Sequence, residues 1–95
     1  MPTAVKTVNL RHVRSKDSEG NVTSWHIELA YTVSDYVAWY QCDVSAPLFT
    51  PKPASDFTDA ELIALCPTST WDTRFDQDYD TYVTNAPTDA ELDVG

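Results

Sequence analysis

The clearest pattern of hydrophobic and polar positions lies in VTSWHIELAYTV, from Val22 to Val33. Every second residue is apolar from Trp25 onward, and mostly polar or small residues fall between. A period of two over this length is typical of a β-strand with one buried face. The side predicted to form the sheet part of the core comprises Trp25, Ile27, Leu29 and Tyr31.

Strands are also predicted on both sides of this segment. Upstream, residues 5–14 alternate imperfectly, with Val8, Leu10 and His12 on one side, and the polar turn SKDSEGN follows. Downstream, the dipeptide SD makes a short turn into YVAWYQCDV. Short connections favour an antiparallel meander, because parallel pairing requires a longer crossover.

The third predicted strand carries apolar residues on both faces. Val37 and Trp39 lie on one face, and the opposite face holds Tyr36, Ala38, Tyr40, Cys42 and Val44. Such a strand is either covered on both sides or meets a partner. Val37 and Trp39 are therefore predicted to be interaction residues.

A proline-rich connector and a capped helix are predicted next. SAPLFTPKPAS contains three prolines, which favour extended backbone, and Leu48 and Phe49 are expected to hold it against the core. Thr58 and Glu61 then have the spacing of a capping box, so a helix is predicted to begin after Thr58 and to stop before Pro67. The flanking Phe57 and Leu62 have the spacing of a hydrophobic staple.

A second helix, capped by Ser69 or Thr70, is predicted from aromatic residues at helical spacing: Trp71, Phe75, Tyr79 and Tyr82. The helices are expected to contribute Leu62, Leu65, Trp71 and Phe75 to the core. The predicted fold is therefore α+β, a three-stranded antiparallel β-meander with two C-terminal helices packed on one face.

A single domain over residues 1–85 is expected, because a chain of 95 residues supports one core. Residues 86–95 are predicted to be an acidic tail that is mobile unless bound. The tail repeats the TDAEL of the first helix start, but too few residues follow to complete a helix. Leu92 and Val94 are therefore predicted to order only when they dock against something.

The formal charge of −9 is concentrated in the C-terminal part of the chain. From Ala54 onward, Arg74 is the one basic residue against ten acidic ones. This half would repel nucleic-acid phosphates, so direct nucleic-acid binding is not expected. A basic partner protein could bind there, with Asp76, Asp78 and Asp80 as the candidate contacts, or the charge could serve only solubility.

Motifs for metal binding and catalysis are incomplete. Counting from Asp76, the glycine and glutamate that a calcium loop needs are replaced by Thr81 and Pro87. Neither a closely spaced zinc-ligand pair nor a nucleophile motif occurs, and the two cysteines are interpreted as structural thiols. We therefore expect no catalytic residue, metal or cofactor. No apolar run approaches a membrane span, so we expect a soluble protein that is made in a cytoplasm.

The order of VTSWHIELAYTVSD, LFTP and FTDAELIALC, over about residues 22–66, resembles a group of small tailed-bacteriophage proteins, including proteins from phages of marine cyanobacteria. The resemblance implies a viral accessory or virion-associated protein without catalytic activity, located in the host cytoplasm or in the virion. The predicted function is thus a non-enzymatic phage structural or accessory protein that acts through protein–protein interaction. Its partner would be another phage protein, a second copy or a basic host protein. The alternative is an acidic phage protein that inhibits a host protein as a nucleic-acid mimic.

Overall fold

The computed structural model describes residues 4–85. Three antiparallel strands form one sheet in the order β1-β2-β3, with α1 against β1 and α2 against β3. The predicted α+β class and meander are confirmed. The elements are β1 (Val5–Lys16), β2 (Val22–Val33), β3 (Tyr36–Ser45), a 3₁₀ turn (Ala54–Asp56), α1 (Asp59–Leu65) and α2 (Thr68–Asn85).

The core lies between the sheet and the helices. The predicted sheet residues Trp25, Ile27, Leu29 and Tyr31 are each at most 1% exposed. From the other side they meet buried Leu62, Trp71 and Phe75, together with half-buried Leu65. These predictions are confirmed because the alternation in β2 and the helical spacing in α2 each place one apolar face inward.

A β-bulge in β1 changes the faces of that strand. Val8 pairs with Leu29, but Leu10 pairs with the adjacent Glu28, so Asn9 is an extra residue. Val8 therefore packs on the core, whereas Leu10 is 46% exposed and His12 is exposed on the opposite face. The expectation that Val8, Leu10 and His12 share a side is wrong for this reason.

The N-terminus of α1 has the predicted capping box. The Thr58 hydroxyl accepts a hydrogen bond from the Glu61 amide at 3.1 Å, and the Glu61 carboxylate accepts one from the Thr58 amide at 3.2 Å. The Glu61 carboxylate also pairs with Lys52 at 2.5 Å. These contacts hold the pKa of Glu61 below its usual value, with the hydrogen bond from Lys52 as the largest cause.

Thr58→Ala is expected to lower the free energy of unfolding by ~1 kcal/mol, because an amide of the first turn loses its acceptor. Urea denaturation followed by circular dichroism would measure the change. Thr58→Ser, which keeps the hydroxyl, is the matched control and should stay close to the parent protein. Equal losses in both variants would contradict a capping role.

The connector and the start of α2 differ from expectation at two points. Phe49 contacts Phe57 with ring centroids 5.4 Å apart, as predicted, but Leu48 is 69% exposed and does not hold the connector against the core. Helix α2 begins at Thr68, and the Trp71 amide donates to the Pro67 carbonyl. Ser69 and Thr70 therefore lie inside the first turn and do not cap it.

Candidate interaction surface

The side of the sheet opposite the helices is here called the open face. It has an apolar end and a polar end, because the outward residues of the three strands align in rows across the sheet. From the apolar end, these rows are Val5–Thr32–Val37, Thr7–Ala30–Trp39, Leu10–Glu28–Gln41 and His12–His26–Asp43.

The apolar end centres on Trp39. Its side chain is 58% exposed, and its neighbours across the strands, Ala30 and Thr7, are small. In the next row, Val5 is 63% exposed and half-buried Val37 lies on the far side of Thr32. A large indole standing above small neighbours offers an apolar projection that a second surface can cover.

The polar end is tied together by hydrogen bonds between side chains. Asp43 lies 2.6 Å from His26 Nδ1 and 2.6 Å from an Arg14 guanidinium nitrogen. The hydrogen bond from His26 and the charge of Arg14 hold the pKa of Asp43 below its usual value. In the next row, the Asn9 amide donates to Glu28 at 2.6 Å. Each carboxylate on the open face is therefore already hydrogen-bonded within the chain.

The His26–Asp43 pair resembles a histidine–carboxylate pair of an enzyme, but its surroundings differ. The second ring nitrogen of His26 lies 3.1 Å from Gln41 Oε1, so both nitrogens have partners. A cavity of about 350 Å³ lies on the other side of the molecule, between the connector and α1, with Phe49, Phe57 and Leu65 in its wall. The geometry thus supports a role for His26 in joining β2 to β3.

The predicted interaction residues fall on separate parts of the molecule. Val37 and Trp39 are neighbours on the open face, whereas Asp76 and Asp80 are exposed on α2, in the helical layer. Asp78 is half-buried: it accepts a 2.6 Å hydrogen bond from Tyr40 and lies 3.5 Å from Arg74. Leu92 and Val94, with the predicted tail, lie outside the described residues.

Val5 and Leu10 belong to the open face and were missed in the sequence. Both sit in the imperfectly alternating first strand, where the bulge at Asn9 makes a side assignment from spacing alone unreliable. The position of Val5 could have been predicted from its spacing to Val8. The two residues are three positions apart, so strict alternation places them on opposite faces of the strand. Continuous alternation through Val8 would have placed Val5 outward.

Two tyrosines connect the sheet to α2 through carboxylates. Tyr31 donates to Asp72 at 2.8 Å, and Lys6 pairs with the same carboxylate at 3.0 Å. Tyr40 makes the equivalent contact with Asp78. Burial, reinforced by the hydrogen-bonded carboxylate, raises the pKa of both phenols well above the ordinary value of 10.0.

The raised phenol pKa values predict loss of stability in alkaline solution. The stabilisation is complete below the unfolded pKa near 10.0 and declines as pH rises above it towards the folded pKa. Absorbance at the phenolate band should therefore rise together with loss of the folded circular-dichroism signal. Tyr31→Phe and Tyr40→Phe should each remove part of that coupled absorbance change. Full ionisation of both phenols in a still-folded protein would contradict the prediction.

The cysteines occupy positions typical of structural thiols. Both are free; Cys66 is buried and Cys42 is half-buried. The Cys66 thiol donates to the Leu62 carbonyl at 3.3 Å, and burial raises its pKa to about 12. Burial also raises the pKa of Cys42. Little thiolate therefore forms near neutral pH, which makes both side chains poor nucleophiles.

No family model, curated protein or solved structure matches this chain. Within residues 4–85, neither helix combines the length and hydrophobicity of a membrane span.

Proposed function

We propose that this chain is a non-enzymatic structural or accessory protein of a tailed bacteriophage, and that it acts by binding another protein through its open face. The observation that carries the proposal is the 58% exposure of Trp39 at the centre of the apolar end. Trp is enriched among the residues that dominate binding energy at protein interfaces. The phage setting comes from the sequence resemblance over about residues 22–66.

The form of the open face supports binding of a protein surface. Three strands provide a firm platform, since Trp39 projects from a strand whose opposite face packs on the core through Ala38 and Tyr40. Little ordering of the platform is then needed on binding, which favours affinity. The polar end adds a rim of hydrogen-bonded side chains, as is usual around an apolar contact.

The experiment uses a photo-crosslinking amino acid at position 39, in phage-producing cells, followed by mass spectrometry of purified virions. The same amino acid at position 48 is the matched control, because Leu48 is also highly exposed but lies on the connector. Crosslinking to a virion protein from position 39, and not from position 48, would support the proposal. Absence of the chain from virions, with no crosslinked protein in the cells, would overturn it.

A second candidate function rests on the helical layer. Asp76 and Asp80 are both exposed and stand one turn apart on α2, so they present two carboxylates on one face. Under this proposal a basic host protein binds there, in place of nucleic acid. Asp78 is less suited to such contact because Tyr40 and Arg74 already engage it.

This second candidate predicts a complex that weakens with salt and with the pair Asp76→Asn and Asp80→Asn. Pull-down from host lysate at two salt concentrations would measure it, with Asp56→Asn and Asp59→Asn as a control of equal charge change. Binding that changes neither with salt concentration nor with the Asp76→Asn and Asp80→Asn substitutions would eliminate this second candidate.

A further inference from the structure

We infer that the protein bound at the open face is a second copy of this chain, packed face to face about a twofold axis parallel to β2. This inference rests on the proposed function, since it takes the open face as the binding surface. It deepens that function by assigning the occupant and its orientation. Three features of the face carry it: its charge, its rows and its size.

Little of the chain's negative charge lies on the open face, so the open faces of two copies can approach each other. The formal charge is −9, yet within residues 4–85 the acidic residues placed on this face are Glu28 and Asp43. Both are hydrogen-bonded, and Arg14 compensates Asp43. By contrast, the carboxylates of α1 and α2 lie on the far side of the sheet.

Face-to-face packing would keep those helical carboxylates apart. Packed sheets lie ~10 Å apart, and each helical layer lies a further ~8–10 Å outward. The two acidic layers would then be separated by more than roughly 20 Å, which exceeds two Debye lengths of ~8 Å at physiological ionic strength. Self-repulsion is thus small in this arrangement, while a dimer through the helices would bring the like charges together.

The rows of the open face are complementary to themselves when the axis is parallel to β2. In that geometry each row faces its own copy, with β1 opposite the partner's β3. Val5 meets the partner's Val37, and Trp39 packs over the partner's Thr7, which is small and exposed. Large side chains facing small ones allow the two layers to interdigitate.

The polar end is complementary under the same operation. His12 meets the partner's Asp43, so a hydrogen-bond donor faces a carboxylate on both sides of the axis. A twofold axis perpendicular to the strands would instead place the Trp39 row against the partner's polar end, where apolar area would cover hydrogen-bonded groups. That mismatch disfavours the second orientation.

The size of the face sets the expected strength. Three strands at ~4.8 Å spacing and rows ~7 Å apart give a patch of roughly 14 Å by 30 Å on each copy. The total buried area on the two copies is then roughly 840 Å², below the ~1,000 Å² of a stable specific interface, so the contact belongs to the weak, transient class. A dimer with a dissociation constant in the micromolar range is therefore expected.

Sedimentation equilibrium from about 1 µM to several hundred µM should show monomer converting to dimer, as expected for micromolar affinity. Trp39→Glu should weaken association at least tenfold, while Leu48→Glu, with the same charge change at an exposed leucine, should leave it unchanged. A monomer throughout this range, or equal effects of the two variants, would overturn the inference.

Cysteine crosslinking tests the orientation. Protein carrying Val5→Cys is mixed with protein carrying Val37→Cys and is oxidised with copper–phenanthroline. The proposed axis predicts disulfide-linked dimers that join position 5 to position 37, with little linking of either variant to itself. A dimer without the 5–37 link would overturn the orientation.

These results separate the inference from the function on which it rests. If the chain stays monomeric but position 39 crosslinks to a different virion protein, the proposed function stands and the second copy is excluded. If neither dimer nor crosslinked protein is found, both proposals fail.

Discussion

Trp25→Ala is expected to lower the free energy of unfolding by ~3–5 kcal/mol, because it removes a large side chain from the core. Trp25 is 1% exposed, at the centre of the core, with its ring edge-on to Phe57 at 5.2 Å. Removing the indole leaves a cavity that β2 and the connector cannot easily fill. Small domains have a free energy of unfolding of only about 5–15 kcal/mol, so the variant would lose a large fraction of its stability.

Trp39→Ala is the matched control because it removes the same side chain from the open face. We expect that variant to change stability by about 0.5 kcal/mol or less in dilute solution, where the side chain contacts mainly water. Urea denaturation followed by far-ultraviolet circular dichroism would compare the two without relying on tryptophan fluorescence. Similar losses in both variants would contradict the assignment of inner and outer faces.

Arg11→Ala is expected to cost ~2–3 kcal/mol, because Arg11 binds backbone carbonyls that then lose their donors. Its guanidinium donates to the Phe57 carbonyl at 2.9 Å and to the Ala54 carbonyl at 2.8 Å. The same group lies 4.9 Å from the Trp25 ring centroid, a cation–π contact. One side chain thus joins β1 to the segment that leads into α1.

Arg14→Ala provides the comparison for Arg11→Ala. Arg14 pairs with Asp43 at 2.6 Å, but both side chains are 51% exposed. Exposed ion pairs contribute ~0–1 kcal/mol, so this variant should remain near the parent in the same denaturation experiment. Arg11→Lys should recover only part of the loss, since an ammonium lacks the planar fork that reaches two carbonyls. A larger effect at Arg14 than at Arg11 would refute this explanation.

The parts of the fold that the sequence predicts are those specified by local periodicity. Alternation in β2 places Trp25 and Ile27 inward because successive strand residues point to opposite faces. The Thr58–Glu61 box predicts the start of α1 because both partners lie within one turn. Such signals need no knowledge of distant contacts.

The features that sequence analysis missed depend on contacts between distant segments. The bulge at Asn9 is defined by the register of β1 against β2, and it moves Leu10 outward and Arg11 inward. The exposure of Leu48 depends on how the connector returns to the sheet, where the Val22 amide donates to the Lys52 carbonyl at 2.9 Å. For Asp78, the bond from Tyr40 bridges a separation of 38 residues. Spacing along the chain contains none of this information.

For the candidate surface, the sequence indicated Val37 and Trp39 but not their neighbours. An aromatic residue opposite a core face is visible as a departure from alternation, which is why Trp39 could be selected. The contributions of Val5 and Leu10 required strand pairing, which brings residues 5 and 37 into one row through Thr32. Pairing of that kind is a tertiary property.

The attachment of β1 has a consequence for how the molecule opens. Among the described residues, the buried hydrophobic side chains come from β2, β3, the connector and the helical segment, and none belongs to β1. As one of the two edge strands, β1 is held to the helical layer by half-buried Val8 and Val13 and by the Lys6 and Arg11 contacts. Its amide protons should exchange with solvent sooner than those of β2, because local fluctuations begin where little apolar surface is sequestered. Each time β1 detaches, the backbone of β2 loses its hydrogen-bond partners on that side, and a strand from another protein could pair with it.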